Sequence, residues 1–224
     1  MKVALGCGAI VVLLMLGGII YAFVAPKAQQ SPDTANTANT VELAEACSKG
    51  YIELQAHGTR SIDSFEVSIT SKSSKYLVIK ILPGMVFTST WPATQSMIVV
   101  AEKLISLSPK DSVDSVVEAA CINMHLSAPW SSDELVFSGA TTNEDLLKLV
   151  QFPAFQTLGF SLKQFAIWTI TDNPPSADDY MGISSGFNPF GTGPSQANMD
   201  TIRGLFQSAG IDTAKYYALS GSSA

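Results

Sequence analysis

The sequence predicts an α+β fold: an antiparallel, β-sandwich-like body followed by a helical portion, with one N-terminal transmembrane helix ahead of both. Three observations carry this. Val3 to Ala25 is uncharged and almost wholly apolar. Between about Tyr51 and Ile122 apolar residues recur with a period of two. After Asn143 the period lengthens to that of a helix. With the N-terminal segments set aside, the 224-residue chain leaves about 175 residues, enough for one domain with its own core.

The apolar run comes first. At about 1.5 Å per residue, a helix over residues 3–25 crosses a hydrocarbon core of roughly 30 Å. A cleaved signal peptide has a shorter apolar core, about 7–15 residues, ahead of a small-x-small site. Here the run is longer, and Phe23 stands two positions before Ala25. The reading is an uncleaved signal anchor over 1–25, in the membrane through residues 3–25, with Lys2 the single basic residue before it. The remainder is then expected outside the cytoplasm, at the cell surface. Cys7 opens the apolar run rather than following it, so it reads as a small apolar residue of the span.

Residues 26–40, with their repeated Ala-Asn-Thr, contain no large apolar side chain and read as a flexible stalk. The domain proper is placed at 41–218 and a disordered tail at 219–224. Within the domain, Phe65, Val67 and Ile69 alternate with Glu66, Ser68 and Thr70, the pattern of a half-buried strand. Leu77, Ile79 and Ile81 repeat it and stop at Pro83-Gly84, a turn signal. Tyr51–His57, Met97–Val100, Leu104–Leu107 and Val113–Ile122 complete the strand set. Asn143 with Glu144 and Asp145 makes a helix start, cap and acidic first turn together. Ser161 is expected to cap a helix running to about Asp172. Ser195–Ala209 carries Met199, Ile202, Leu205 and Phe206 on one stripe and stops at Gly210. The glycine-rich stretch 186–194 lacks the Lys-Ser/Thr pair of a phosphate loop and reads as a surface loop.

Charge excludes some functions. Without residues 1–25 the count is 12 Lys+Arg against 19 Asp+Glu, a net of −7. An acidic domain with no basic cluster argues against nucleic acid and anionic lipid surfaces as partners. Two histidines in the whole chain, His57 and His125, are too few for a histidine-rich zinc site. They also make a catalytic triad a poor expectation. Cys121 and His125 lack a second pair of ligands, and Asp172, Asp178 and Asp179 do not have calcium-loop spacing. No metal or cofactor is expected. Trp91, Trp130 and Trp168 read as core aromatics before they read as a sugar platform.

Two segments stand out chemically: Ala119-Ala120-Cys121-Ile122-Asn123 and Lys163-Gln164-Phe165-Ala166-Ile167-Trp168. Cys121 shares strand parity with Val113, Val117 and Ala119 and so faces the core with them. Gln164 has Ile167 and Trp168 at i+3 and i+4, on its own side of the helix. An amide buried there without partners costs about 1–3 kcal/mol. Its carbonyl is therefore either hydrogen-bonded to backbone or bonded to a thiol. Cys121 has a second option, a disulfide with Cys47, which an oxidising compartment permits and whose long loop is worth about 4 kcal/mol by the chain-entropy argument. The free thiol is the third.

The strand-borne cysteine, the proline-containing loop and the later Gln-x-Ala-Ile-Trp helix together resemble the thioester domains of bacterial surface adhesins, over most of Val41 to Tyr217. Those domains combine a β-rich body with helices and capture a nucleophile on a host surface through a Cys-Gln thioester. The resemblance implies Cys121 and Gln164 as the cross-linked pair, with Ile167 and Trp168 in its apolar pocket. It also implies a binding or adhesion function without enzymatic turnover. Ala120 and Lys163 stand where the family carries bulkier or apolar residues. Without the acyl chemistry the same chain reads as a disulfide-stapled structural module of the cell envelope.

Overall fold

A computed structural model describes residues 39–181 and 193–220. The expected membrane span over 3–25, most of the stalk and most of the 186–194 loop lie outside the described residues. Among the described residues no helix is long and apolar enough to cross a membrane.

The fold is mixed α+β, with sheets that are antiparallel except for the parallel β1–β4 pair, followed by helices. The first part runs β1 (Thr40–Glu42), α1 (Leu43–Ser48), β2 (Ile52–Gly58), β3 (Ser64–Ser71), β4 (Leu77–Ile81) and β5 (Met85–Ser89). It continues with β6 (Met97–Val99), β7 (Lys103–Leu107), β8 (Ser112–Cys121) and β9 (Leu135–Ala140). The helical part is α2 (Glu144–Gln151), α3 (Pro153–Gln156), α4 (Phe160–Thr171), α5 (Gln196–Ser208) and α6 (Tyr217–Ser220). Leu219, assigned from the sequence to a disordered tail, is instead 3% exposed within α6.

Six strands form one sheet in the order β2-β3-β8-β6-β5-β9, and β1, β4 and β7 form a second. The period of two decides the register. Phe65, Val67 and Ile69 of β3 stand opposite Val117, Ser115 and Val113 of β8, so a one-residue slip would turn the buried set to solvent. Phe65 meets Phe87 of β5 at 4.4 Å between ring centroids, and Phe87 meets Phe137 of β9 at 5.4 Å. The turn signal at Pro83-Gly84 is real: Gly84 has φ +95°, and Met85 N–H donates to the Leu82 carbonyl. The edge strands β2 and β9 meet at one end, where Gly58 N–H donates to the Asp133 carbonyl at 3.1 Å and His57 faces Glu134. A Cβ on Gly58 would collide with the Pro129 carbonyl, so glycine is what lets the chain 129–133 approach.

β8 is the axis of the body. Its first seven residues pair with β3 and its last three with β6, Met97 opposite Cys121 and Val99 opposite Ala119. β3 begins at Ser64, opposite Glu118, so β8 runs three residues past it. Asp63 O accepts Ala119 N–H at 2.8 Å. Beyond that point no strand among the described residues pairs with the β3 side of β8, and α4 takes its place.

Every residue of α4 from Lys163 to Ile170 is buried, the signature of a helix packed on all sides. Gly159, not Ser161, is its N-cap residue; Ser161 lies inside the first turn. The expected Asn143 cap of α2 accepts from Leu146 N–H, and Ser195 caps α5, accepting from Asn198 N–H.

Candidate functional site

The seam between β8 and α4 joins Cys121 and Gln164 across 43 residues of sequence. Both are fully buried. Gln164 Oε1 accepts Cys121 N–H at 3.0 Å, and Gln164 Nε2 donates to the Cys121 carbonyl at 2.7 Å. The carboxamide thus does what one more strand residue would do for the overhang of β8: it satisfies a backbone donor and acceptor that β3 has left. Its carbon lies between these two anchors, beside Cys121.

The thiol donates to a thioether, Cys121 Sγ lying 3.4 Å from Met97 Sδ, its cross-strand neighbour. Burial, reinforced by the negative charge of Asp63, pushes the thiol well above its ordinary pKa. It rests as a neutral SH, a weak nucleophile until a base takes its proton. Phe165, Ile167 and Trp168 are at most 3% exposed and keep the surroundings dry. Ile167 and Trp168 are buried on the same helix as Gln164.

Lys163, one residue before Gln164, clamps the same seam. Its side chain is 7% exposed, and Nζ donates to Glu118 Oε1 at 2.8 Å. Nζ also lies 5.8 Å from the centre of the Phe155 ring. Sequence reasoning missed this pair, although Glu118 sits on the outward parity of β8, three residues before Cys121. Asp63, Ser64, Glu118 and Phe160 line an open cavity of about 450 Å³. The third buried polar residue of α4 is also satisfied: Thr169 Oγ1 bonds the Phe165 carbonyl and Tyr180 Oη. Burial foremost, with the charge of Asp172, pushes the Tyr180 phenol up to about 12.

Cys47 and Cys121 are both free thiols, so the bridge considered from the sequence is not formed. Cys47 lies half-buried on α1 and lines a cavity of about 330 Å³ with Ile52 and Leu54 of β2 and Leu135 and Phe137 of β9. Cys121 has Met97 and Gln164 as neighbours instead. His125 is exposed while Cys121 is buried, and among the described residues no group of three or more metal-binding side chains occurs. Asp172 is spent on structure, accepting Met124 N–H at 3.0 Å and the Thr171 hydroxyl at 2.6 Å. Asp179 accepts the Ser176 hydroxyl. The expectation of three core tryptophans needs correction: Trp168 is 0% exposed, but Trp91 is 62% and Trp130 53% exposed.

Comparison of the chain with protein-family models, with curated proteins and with solved structures finds no match.

Proposed function

We propose that this chain is a membrane-anchored, extracytoplasmic binding or adhesion domain in which Cys121 and Gln164 form an internal thioester for covalent capture. In this reading a β-sandwich-like body and its helices stand on the 26–40 stalk behind the 1–25 anchor. One observation carries it: the single buried carboxamide of α4 lies against the single buried cysteine of the sheet.

The chemistry is acyl transfer without turnover. The Cys121 sulfur adds to the Gln164 carboxamide carbon as the thiol gives up its proton. Oε1 takes the developing negative charge and already accepts Cys121 N–H, which strengthens as that charge grows. The C–N bond then breaks, Nε2 leaves as ammonia with the thiol proton, and the C–S bond remains. The dry shell of Phe165, Ile167 and Trp168 limits hydrolysis of the product. A nucleophile that later attacks the acyl carbon keeps the carbonyl and returns the thiol.

A second reading has its own observation. Gln164 saturates the backbone of Cys121, not its sulfur, which by itself makes the pair a tie between helix and sheet. The protein is then a structural or assembly module of the envelope with no covalent reactivity. Incubation with methylamine followed by peptide mapping separates the two. The capture reading expects a methylamide on Gln164, about 14 Da above the encoded glutamine, with Cys121 newly open to alkylation. An unmodified Gln164 in the folded protein leaves the tie as its whole role.

A further inference from the structure

The two exposed tryptophans lie on loops that leave the same strand pair as the buried seam. Loop 90–96 leads into Met97, and loop 122–134 follows Cys121, Met97 and Cys121 being opposite each other in register. Each indole is set at the start of a tight turn beside a proline, Trp91-Pro92 and Pro129-Trp130. Thr94 N–H donates to the Trp91 carbonyl at 3.1 Å, and Ser89 Oγ accepts Trp91 N–H at 3.1 Å. Asp133 N–H donates to the Trp130 carbonyl at 2.9 Å, and Asp133 Oδ2 accepts Trp130 N–H at 2.8 Å. The same oxygen accepts the Thr94 hydroxyl at 3.4 Å, and Thr90 N–H donates to the Glu134 carbonyl at 3.1 Å. The two turns are laced into one unit.

Arg60 completes it. Its guanidinium lies 4.7 Å from the centre of the Trp130 ring, and the Arg60 backbone N–H donates to the Pro129 carbonyl at 3.0 Å. Arg60 holds φ 67°, a left-handed conformation strained for a residue with a Cβ. The cation lies over the indole and covers part of one face of the ring.

We propose that Trp91 and Trp130 form a shallow platform on which the ring faces of an uncharged pyranose oligosaccharide stack. Large, rigid aromatic surface left in water marks a binding face. Its frame selects the occupant. Around the rings stand exposed Thr90, Ser131, Ser132 and Glu134 with half-exposed Asp133; the remaining apolar neighbours, Pro92 and Ala93, are small. Hydroxyls and carboxylates around aromatic faces suit sugar hydroxyls and the C–H faces between them. A protein partner requires a wider apolar core than two rings provide. An anionic membrane is repelled by Asp133 and Glu134 and finds one nearby cation, Arg60, already laid on Trp130. The platform operates whether or not the Cys121–Gln164 bond forms.

The test is a screen of the full-length protein on an array of neutral oligosaccharides, followed by tryptophan-fluorescence titration with cello-, chito-, manno- and xylohexaose. Saturable binding to at least one neutral glycan is expected, weakened roughly tenfold or more in W91A and in W130A and unchanged in C121A. Both tryptophan variants should keep the parent's circular dichroism and melting temperature, since neither ring packs in the core. Absence of binding across the array overturns the proposal, as does binding that survives both tryptophan substitutions. Tryptophan-dependent adsorption to phosphatidylglycerol vesicles, or tryptophan-dependent dimerisation, in place of glycan binding would also overturn it. Loss of glycan binding in C121A would tie the platform to the acyl site and overturn its independence.

Discussion

The β8–α4 seam and the tryptophan loops begin at the same two strands and treat polar and apolar groups in opposite ways. In the seam, a lysine, a glutamine and a cysteine are driven into a dry interior, with both cationic and amide groups matched to partners between 2.7 and 3.0 Å. In the loops, two indoles that would stabilise a core are left in water, and polar bonds hold the backbone beneath them. The difference teaches where each region keeps its free energy. The seam stores it in contacts that fail if one partner is lost. The loops spend little on folding and so are free to serve a surface.

Substitutions that break this contrast should rank accordingly. Gln164→Ala is expected to do most damage, because it strands the N–H and carbonyl of Cys121 in a dry site at about 1–3 kcal/mol each and leaves a cavity. A loss of about 3–5 kcal/mol by urea denaturation is the expected result. A loss under about 1 kcal/mol would mean that water or a shifted backbone replaces the amide. Glu118→Ala comes next, at about 1.5–3 kcal/mol, since it leaves the buried ammonium of Lys163 without its carboxylate; the half-exposed Glu118 keeps the figure below that of a fully buried pair. Replacing both Lys163 and Glu118 by Met and Ala should recover part of that loss.

Cys121→Ala sharpens the contrast rather than breaking it. It removes the sulfur but keeps both backbone bonds to Gln164, so the expected cost is about 1–2 kcal/mol. It abolishes any acyl chemistry outright, which makes it the clean control for reactivity where Gln164→Ala is confounded by instability.

How much of this the sequence revealed depends on periodicity and partner. The β3 and β8 strands, the inward parity of Cys121 and the α2 cap were legible because alternation and capping are local signals. β5 and β9 carry no such signal. β5 is only Met85–Ser89, directly after a turn, and β9 contains Gly139 and has Val136 exposed. The proximity of Cys121 and Gln164 was an expectation from a resemblance; no local rule gives it. Reasons for the glutamine were half legible: a buried amide needs partners, but that they would be the backbone of Cys121 follows from β8 outrunning β3, a fact of register. Lys163 was unreadable as a buried residue because charge normally signals solvent. The exposure of Trp91 and Trp130 ran against the usual burial of tryptophan and could have been suspected only from their flanking prolines.

A pH effect separates the seam from the packing of α2. Burial alone would raise the pKa of Asp145, but hydrogen bonds from Lys215 Nζ and Tyr216 Oη, with the charges of Lys215 and Lys148, hold its carboxyl below the usual carboxylate range. A depressed folded-state pKa gives stability that is present above the unfolded value, about 4, and is lost as pH falls through the folded one. Asp145→Asn should therefore be less stable than the parent at pH 6, with the gap closing below about pH 4. A gap independent of pH would show that Asp145 acts through packing alone. The smallest effects belong to the loops: W91A and W130A should each change stability by no more than about 0.5 kcal/mol. A larger loss from either would show that its ring supports the fold.

The most direct test of the acyl-transfer account is the intact mass of the full-length protein, purified without reductant and without amines, beside that of C121A. The account predicts a deficit of about 17 Da, the ammonia released as sulfur replaces nitrogen on Gln164, present in the parent and absent in C121A. A parent at its encoded mass, with Cys121 alkylated only after unfolding, would contradict it and leave Gln164 as a structural tie between α4 and β8.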